Sequence, residues 1–170
     1  MIARYYAQIR EDQRLAEPIG RLEMERTQEV ILRYLPPPPA VIVGVGGGPG
    51  AYSRWLAKLG YEAHLVDLTP KHVEQALALG GIASVSVGDA RALEWPDGAA
   101  ASALLLGPLY HLTERAERVL ALRVGLSTIP SSRRFWTATS PRGTATIRQS
   151  LTISRRPSST RRTHAIGCLP

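Results

Sequence analysis

The chain has 170 residues, 44% of them apolar, with 21 Lys+Arg against 14 Asp+Glu, a net charge of +7 and an isoelectric point near 10.2. That composition supports a core and excludes a fully disordered chain, and the longest apolar stretch, Ala99 to Gly107, is about half of the roughly 20 residues a membrane span needs. The single cysteine, Cys168, allows no intrachain disulfide and no zinc cluster, and Arg4, Arg10 and two acids come before any apolar run, so a soluble cytoplasmic protein without a signal peptide or metal site is expected.

Glu117 is the last acid in the chain, and the charge divides there. Residues 1–123 hold 13 Lys+Arg against 14 Asp+Glu, a net of −1, whereas residues 124–170 hold 8 Arg and no acid. The basicity therefore belongs to a Ser-, Thr- and Pro-rich tail, and the two segments call for separate readings. Three units are expected: a helical lead over 1–36, a folded unit over 40–123 and the tail over 124–170.

The lead reads as helix in two pieces, Ala3 to Leu15 and a second after Pro18 with Leu22, Val30, Ile31 and Leu35 as apolar positions. Pro36 to Pro39 must stop it, since each ring fixes φ and lacks an amide hydrogen. Ala40 to Val43 is a continuous apolar run suited to a strand buried on both faces. Gly44-Val45-Gly46-Gly47-Gly48-Pro49-Gly50 follows. Tyr52, Trp55, Leu56 and Leu59 then mark one helical face, with Gly60 as a left-handed cap. Strand, glycine-rich turn and helix is the unit that holds an anionic or polar ligand against free backbone amides.

The pattern repeats. Ala63 to Val66 is a second strand ending in Asp67, and Thr69-Pro70 caps a helix carrying Val73, Ala76 and Leu77 that stops at Gly80-Gly81. Ile82 to Val87 is a third strand, ending in Gly88-Asp89-Ala90, and Ser102 to Leu106 a fourth, ending in Gly107-Pro108. A last helix places Leu112, Ala116, Val119 and Leu120 on one face and breaks off near Arg123. Such alternation gives an α/β fold, a Rossmann-like doubly wound parallel sheet. Ligands of such sheets lie beyond the carboxyl ends of the strands, where Gly46, Asp67, Asp89 and Gly107 all fall.

An acid ending the second strand can accept both hydroxyls of a ribose, which nucleotide-type cofactors of two classes require. Gly46-x-Gly48-x-x-Ala51 satisfies the looser dinucleotide fingerprint, so an NAD(P)-dependent oxidoreductase is one reading. Against it, Pro49 withholds an amide from a pyrophosphate, and Asp89 suits an adenine amino group better than a second mononucleotide.

Val43 to Gly50, His64-Leu65-Val66-Asp67, Gly88-Asp89-Ala90-Arg91 and Leu104 to Leu112 resemble successive motifs of class I S-adenosylmethionine-dependent methyltransferases. Tyr5-Tyr6 and Glu11-Asp12-x-Arg14-Leu15 resemble the lead of a bacterial small-molecule branch of that superfamily. The resemblance runs over residues 1–122 and implies S-adenosylmethionine as cofactor and a small-molecule methyl acceptor as partner. It puts Gly46, Gly48 and Gly50 at the methionine part, Asp67 with Leu68 at the ribose, Asp89 and Ala90 at the adenine, and Leu106 beside the sulfonium. The sequence departs from the family at Gly44, where an acid usually stands.

Methyl transfer asks for in-line placement in a dry pocket, and for a base when the nucleophile is a hydroxyl or a protonated amine. His111, on the loop where the acceptor would arrive, is the candidate, beside the plainer reading of a residue that shapes the pocket. His64 and His72 read as structural. Tyr5, Tyr6 and Arg14 read as either a lid or a packed helix.

The tail shows neither helical periodicity nor sustained alternation. It reads as a basic arm for nucleic-acid phosphate, or as an out-of-frame translation of a GC-rich gene. The codons of Arg134 to Ser140, read two bases later, permit Phe-Leu-Asp-Gly-Tyr-Leu, and those of Ile153 to Thr160 permit Phe-Thr-Thr-Ala-Phe-Phe-His. Both resemble segments that follow the fourth strand in the same branch, which favours the frameshift over a nucleic-acid module. The expectation is a truncated sheet without strands five to seven. Its fourth strand would form an edge, with Leu104, Leu105 and Leu106 uncovered on one side, giving an aggregation-prone chain of weak activity.

Overall fold

The computed structural model describes residues 18–130, 137–140 and 143–146. Helix α1 (Pro18–Tyr34) leads into strand β1 (Val41–Val45), then α2 (Ala51–Lys58), β2 (Glu62–Asp67), α3 (Pro70–Leu79) and β3 (Ser84–Val87). A long connection reaches β4 (Ser102–Leu105), followed by the short α4 (Pro108–His111), α5 (Arg115–Ser127), β5 (Thr137–Ser140) and β6 (Gly143–Thr146). The sheet order is β3-β2-β1-β4-β5-β6, parallel from β3 through β5 and closed by an antiparallel β6. Strand β1 is central, pairing Val43 with His64 on one side and with Ala103 on the other.

Both faces of β1 are covered, as its continuous apolar run requires. On one face Val43, Val45, Ala103 and Leu105 pack with Ala100, Ala121 and Ile129; on the other Ile42, Ala63 and Leu104 pack with Ile31, Leu56 and Tyr61. Helices α1 and α2 pack on the second of these faces and α5 on the first, so the chain changes face between β3 and β4 and the sheet order reverses between β1 and β4. That crevice is where an open α/β sheet admits a ligand.

Four expectations need correction. Helix α5 does not break off near Arg123 but runs to Ser127, and the chain stays packed beyond it. The Ala100 and Gly98 amides donate to the Thr128 and Ser127 carbonyls, and Ile129 is fully buried. The buried face of α5 is Ala121 and Gly125 rather than Ala116 and Leu120, because a Cβ at Gly125 would lie 2.9 Å from Leu105 Cδ1, and the sheet approaches where no side chain stands. Leu104 and Leu105 are accordingly buried, not stripped of cover. Leu22 and Leu77 point to solvent, since Ile31 on α1 and Val73 and Ala76 on α3 supply the inward contacts.

Strands β5 and β6 lie within the stretch read as an irregular tail, and β5 meets β4 through a single register pair, Leu105 with Ala138. The expected helix Ala3 to Leu15, the lid candidates Tyr5, Tyr6 and Arg14, and the remainder of the tail lie outside the described residues.

If the segment past Arg123 belongs to the core, Ile129→Ala will lower the unfolding free energy by about 2–4 kcal/mol in a urea melt. A change below about 0.5 kcal/mol, typical of a surface site, would show that it does not.

Candidate functional site

The glycine-rich turn after β1 is held by backbone and by one carboxylate. The Gly46 amide donates to the Val66 carbonyl at 2.7 Å, and the Gly50 amide to the Gly47 carbonyl at 3.1 Å. Gly46 and Gly48 have φ of +67° and +56°, a region in which a side chain clashes with its own backbone. Gly46 is also constrained by its neighbours, since a Cβ there would lie 2.5 Å from the Pro108 ring. Across the crevice, a Cβ at Gly107 would lie 3.0 Å from the Gly46 carbonyl oxygen. The ends of β1 and β4 thus approach so closely that a side chain at Gly107 would meet the Gly46 backbone. At Gly48 a Cβ would meet nothing nearer than His72 Nδ1 at 4.0 Å, leaving open space over the turn.

Asp67 sits at the carboxyl end of β2, 6% exposed, and ties three segments together. Its Oδ2 accepts from the Gly48 amide at 2.8 Å; its Oδ1 accepts from the Thr69 amide at 2.8 Å and from His72 Nδ1 at 3.2 Å. Burial alone would raise the Asp67 pKa, but the hydrogen bonds from His72, Thr69 and Gly48 outweigh it and hold the carboxyl below the usual carboxylate range. An anionic carboxylate only accepts, so His72 Nδ1 carries the proton it donates. Leu68, next in the chain, is 43% exposed and leaves an apolar surface beside the carboxylate.

Asp89, beyond the end of β3, is engaged differently. Arg91 donates to Oδ1 from its amide at 2.8 Å and from Nε at 3.0 Å, and to Oδ2 from a terminal nitrogen at 2.5 Å. The other terminal nitrogen of Arg91 pairs with Glu117 on α5. Those Arg91 contacts hold the Asp89 carboxyl below its ordinary range despite some opposing burial, and the two acids raise the Arg91 pKa. Ala90 is buried in the core beside Val43 and Val45, so its backbone is what it can offer a ligand. Leu106 is half-buried at the end of β4, packed against the Ile42 face.

Gly44, where the resemblance leads one to expect an acid, has no room for one. A Cβ there would stand 2.9 Å from the hydroxyl of Ser53, a buried residue of α2. His111 is half-buried at the end of α4, its ring 4.3 Å from that of Tyr110, whose hydroxyl would lie 3.8 Å from a Cβ at Gly107. Gly46, Gly48, Asp67 and Leu68 thus follow the ends of β1 and β2 on one side of the crevice and Leu106 and Gly107 the end of β4 on the other, with His111 four residues further on at the end of α4. Gly50 begins α2 and faces inward, where a Cβ would meet Ile82 at 2.7 Å, so its part is to close the turn.

Residue-level reading takes His72 as structural without its tie to Asp67, and passes over Thr69 as a donor, Ser53, Tyr110 and the Arg91–Glu117 link. The one available signal was His72 beside Val73 and Ala76 on the inward face of α3, five residues after a buried acid. Arg54 was also overlooked: it donates to the Pro49 carbonyl at 2.9 Å and braces the turn from α2. Among the described residues, no cluster of three or more His, Cys, Asp or Glu is arranged to hold a metal ion.

Residues 43–123 match the family model of a methyltransferase domain. No curated protein matches the chain. A SAM-dependent methyltransferase of Methanosarcina mazei is similar in structure at 19% identity, with a TM-score of 0.57 over 64% of this chain and 55% of that one. A protein of Pyrococcus horikoshii gives 18% identity and a TM-score of 0.68 over 79% of this chain and 64% of its own. An S-adenosylmethionine-dependent methyltransferase of Mesorhizobium loti gives 22% identity and a TM-score of 0.53 over 65% and 51%. This chain thus spans between about half and two thirds of the length of these solved structures. The described core has the class I methyltransferase fold.

The Asp67 contacts predict a pH signature. A carboxyl with a depressed folded-state pKa stabilises the fold above about pH 4, its unfolded value, and that contribution is lost as pH falls through the lower folded value. Asp67→Asn will cost about 1–3 kcal/mol at pH 7, measured by urea denaturation, and the gap to the native protein will narrow below pH 4. A gap independent of pH would mean that the charge is not what Gly48, Thr69 and His72 recognise.

Proposed function

With a methyltransferase-domain match over residues 43–123 as premise, we propose that the protein transfers a methyl group from S-adenosylmethionine to a small molecule. The observation that carries this reading is the close approach of Gly107 to Gly46, which leaves no room for a side chain between them, with Asp67 bonded to the glycine turn through the Gly48 amide. It makes a narrow crevice bordered by the glycine turn, with one anionic acceptor at its side.

The residues fit the cofactor. The open backbone at Gly48 and the turn from Gly46 to Gly50 would take its methionine part. Asp67 with Leu68 would take the ribose, and Asp89 with the Ala90 backbone the adenine. Leu106 would border the methyl group at the end of β4. Once bound, the cofactor supplies a methyl group already activated by a sulfonium. The protein has to exclude water, orient the acceptor and, for a hydroxyl or protonated amine, accept a proton on the His111 imidazole. Because Arg91 occupies both Asp89 oxygens, adenine binding at that side chain requires Arg91 to release one of them.

The acceptor is read as a small molecule rather than a nucleic acid, with the protein working in the cytoplasm. No described helix is long and apolar enough to cross a membrane. We read the tail past about residue 123 as translated out of frame; burial of Gly125, Thr128 and Ile129 favours a change point later than that. The nucleotide sequence of the gene checks this, since one single-base change must restore an open frame encoding both shifted strings.

Equilibrium dialysis of the full chain against radiolabelled S-adenosylmethionine will show saturable binding displaced by S-adenosylhomocysteine and unaffected by NADH. Gly46→Ala, which drives a methyl into the Pro108 ring, will weaken that binding at least tenfold. Saturable NADH binding without S-adenosylmethionine binding would instead establish the oxidoreductase reading.

A further inference from the structure

We propose that His72 is a positioning residue that leaves Asp67 a single acceptor site for the cofactor ribose, so that the protein reads one ribose hydroxyl through this carboxylate rather than two. The inference rests on the S-adenosylmethionine reading and deepens it.

A carboxylate offers about four acceptor positions, two on each oxygen. On Oδ1 both are used, one by the Thr69 amide at 2.8 Å and one by His72 Nδ1 at 3.2 Å. Oδ2 holds the Gly48 amide at 2.8 Å and keeps one position. The two oxygens also differ in where they face. Oδ1 is directed toward the start of α3 and the buried His72 ring, whereas Oδ2 is directed toward the glycine turn that borders the crevice. The free position is therefore on the oxygen that faces the ligand.

His72 does this better than an apolar residue of similar size would. Asp67 and His72 have side chains 8% and 5% exposed, so water does not replace a missing donor at Oδ1. Without His72, Oδ1 would keep the Thr69 amide alone, with one buried acceptor position unfilled, and rotation of the carboxyl to seek a second partner would be favoured. With His72 present the carboxyl plane is fixed by three donors on two oxygens. The neighbouring segment then sets the ribose contact. The His72 Nδ1 lies 4.0 Å from the place a Gly48 Cβ would occupy, so the residue that holds Oδ1 also stands close to the glycine turn.

The test is calorimetric titration of the full chain with S-adenosylhomocysteine and its 2′-deoxy and 3′-deoxy forms. In the native protein, one deoxy form will lose at least tenfold in affinity, and the other less than threefold. His72→Asn keeps an N–H close to the Nδ1 position and will preserve that asymmetry. His72→Leu removes the donor, and the two deoxy forms will then differ by less than threefold. A purely structural His72 would lower the melting temperature in both variants and leave the ratio unchanged, which would overturn the proposal. Equal tenfold losses for both deoxy forms in the native protein would overturn it as well, while leaving the cofactor reading intact. Absence of S-adenosylhomocysteine binding by the native protein would overturn the cofactor reading and this proposal together.

Discussion

A buried carboxylate has to be satisfied or it will not stay charged, and in this protein that requirement organises the ligand side of the sheet. Removing an ion from water costs several kcal/mol even after relaxation. Asp67 recovers that cost through donors from the glycine turn, from the amide that opens α3 and from a side chain of α3. Its position just before the N-terminus of α3 adds the favourable end of the helix dipole. Three segments distant in sequence are thereby fixed to one point. The turn after β1 cannot drift from β2 without stranding a buried anion, and α3 cannot tilt without withdrawing His72.

The second constraint is steric. Where β1 and β4 diverge, the chain must turn sharply on both sides of the same gap, and the two turns meet at Gly46 and Gly107. Side chains at either position would push the strands apart and widen the crevice. The absence of Cβ atoms brings backbone amides and carbonyls within reach of a ligand, and Asp67 supplies the charge that those neutral groups lack. Glycine geometry and one satisfied anion together build a site that needs little else from the protein, in keeping with the proposed methyl transfer, whose reactive bond would reside in the cofactor.

Much of this arrangement was legible in the residues. The four parallel strands follow from short apolar runs that end in Gly or Asp, and the cap at Thr69-Pro70 and the turn at Gly60 stand where turn chemistry puts them. Asp67 was legible because an acid at the end of an apolar strand has no packing role. What failed was the assignment of faces. A periodic pattern says which residues share a side of a helix, but not which side meets the sheet when small residues compete with large ones. On α5 the close approach selected Gly125 and Ala121 over Leu120, and a glycine contributes nothing to an apolar pattern. On α3, Leu77 lost the inward position to a stripe that includes His72, whose polarity reads as outward until its partner is known. Arg91 was hidden for the opposite reason: its two acid partners are 2 and 26 residues away, and only the fold brings Glu117 near.

The same logic revises the meaning of the net charge. A +7 chain invites a reading in terms of an anionic partner, yet the packed part up to Arg123 is nearly neutral, and its charges are spent locally. Arg91 is held by Asp89 and Glu117, and Arg54 by the Pro49 carbonyl. Those arginines are struts of the site rather than a surface for phosphate. The fold also keeps hold of the chain farther than the charge boundary suggests. Gly125 lets Leu105 reach α5, Thr128 bonds back to the Gly125 carbonyl, and the Ala100 amide secures the Thr128 carbonyl at the foot of β4. Loss of acids at Glu117 therefore marks a change in composition, whereas the packing of this domain continues to Ile129. Because burial acts on shape and hydrogen bonds, it shows the core reaching past the point where a count of charges divides the chain.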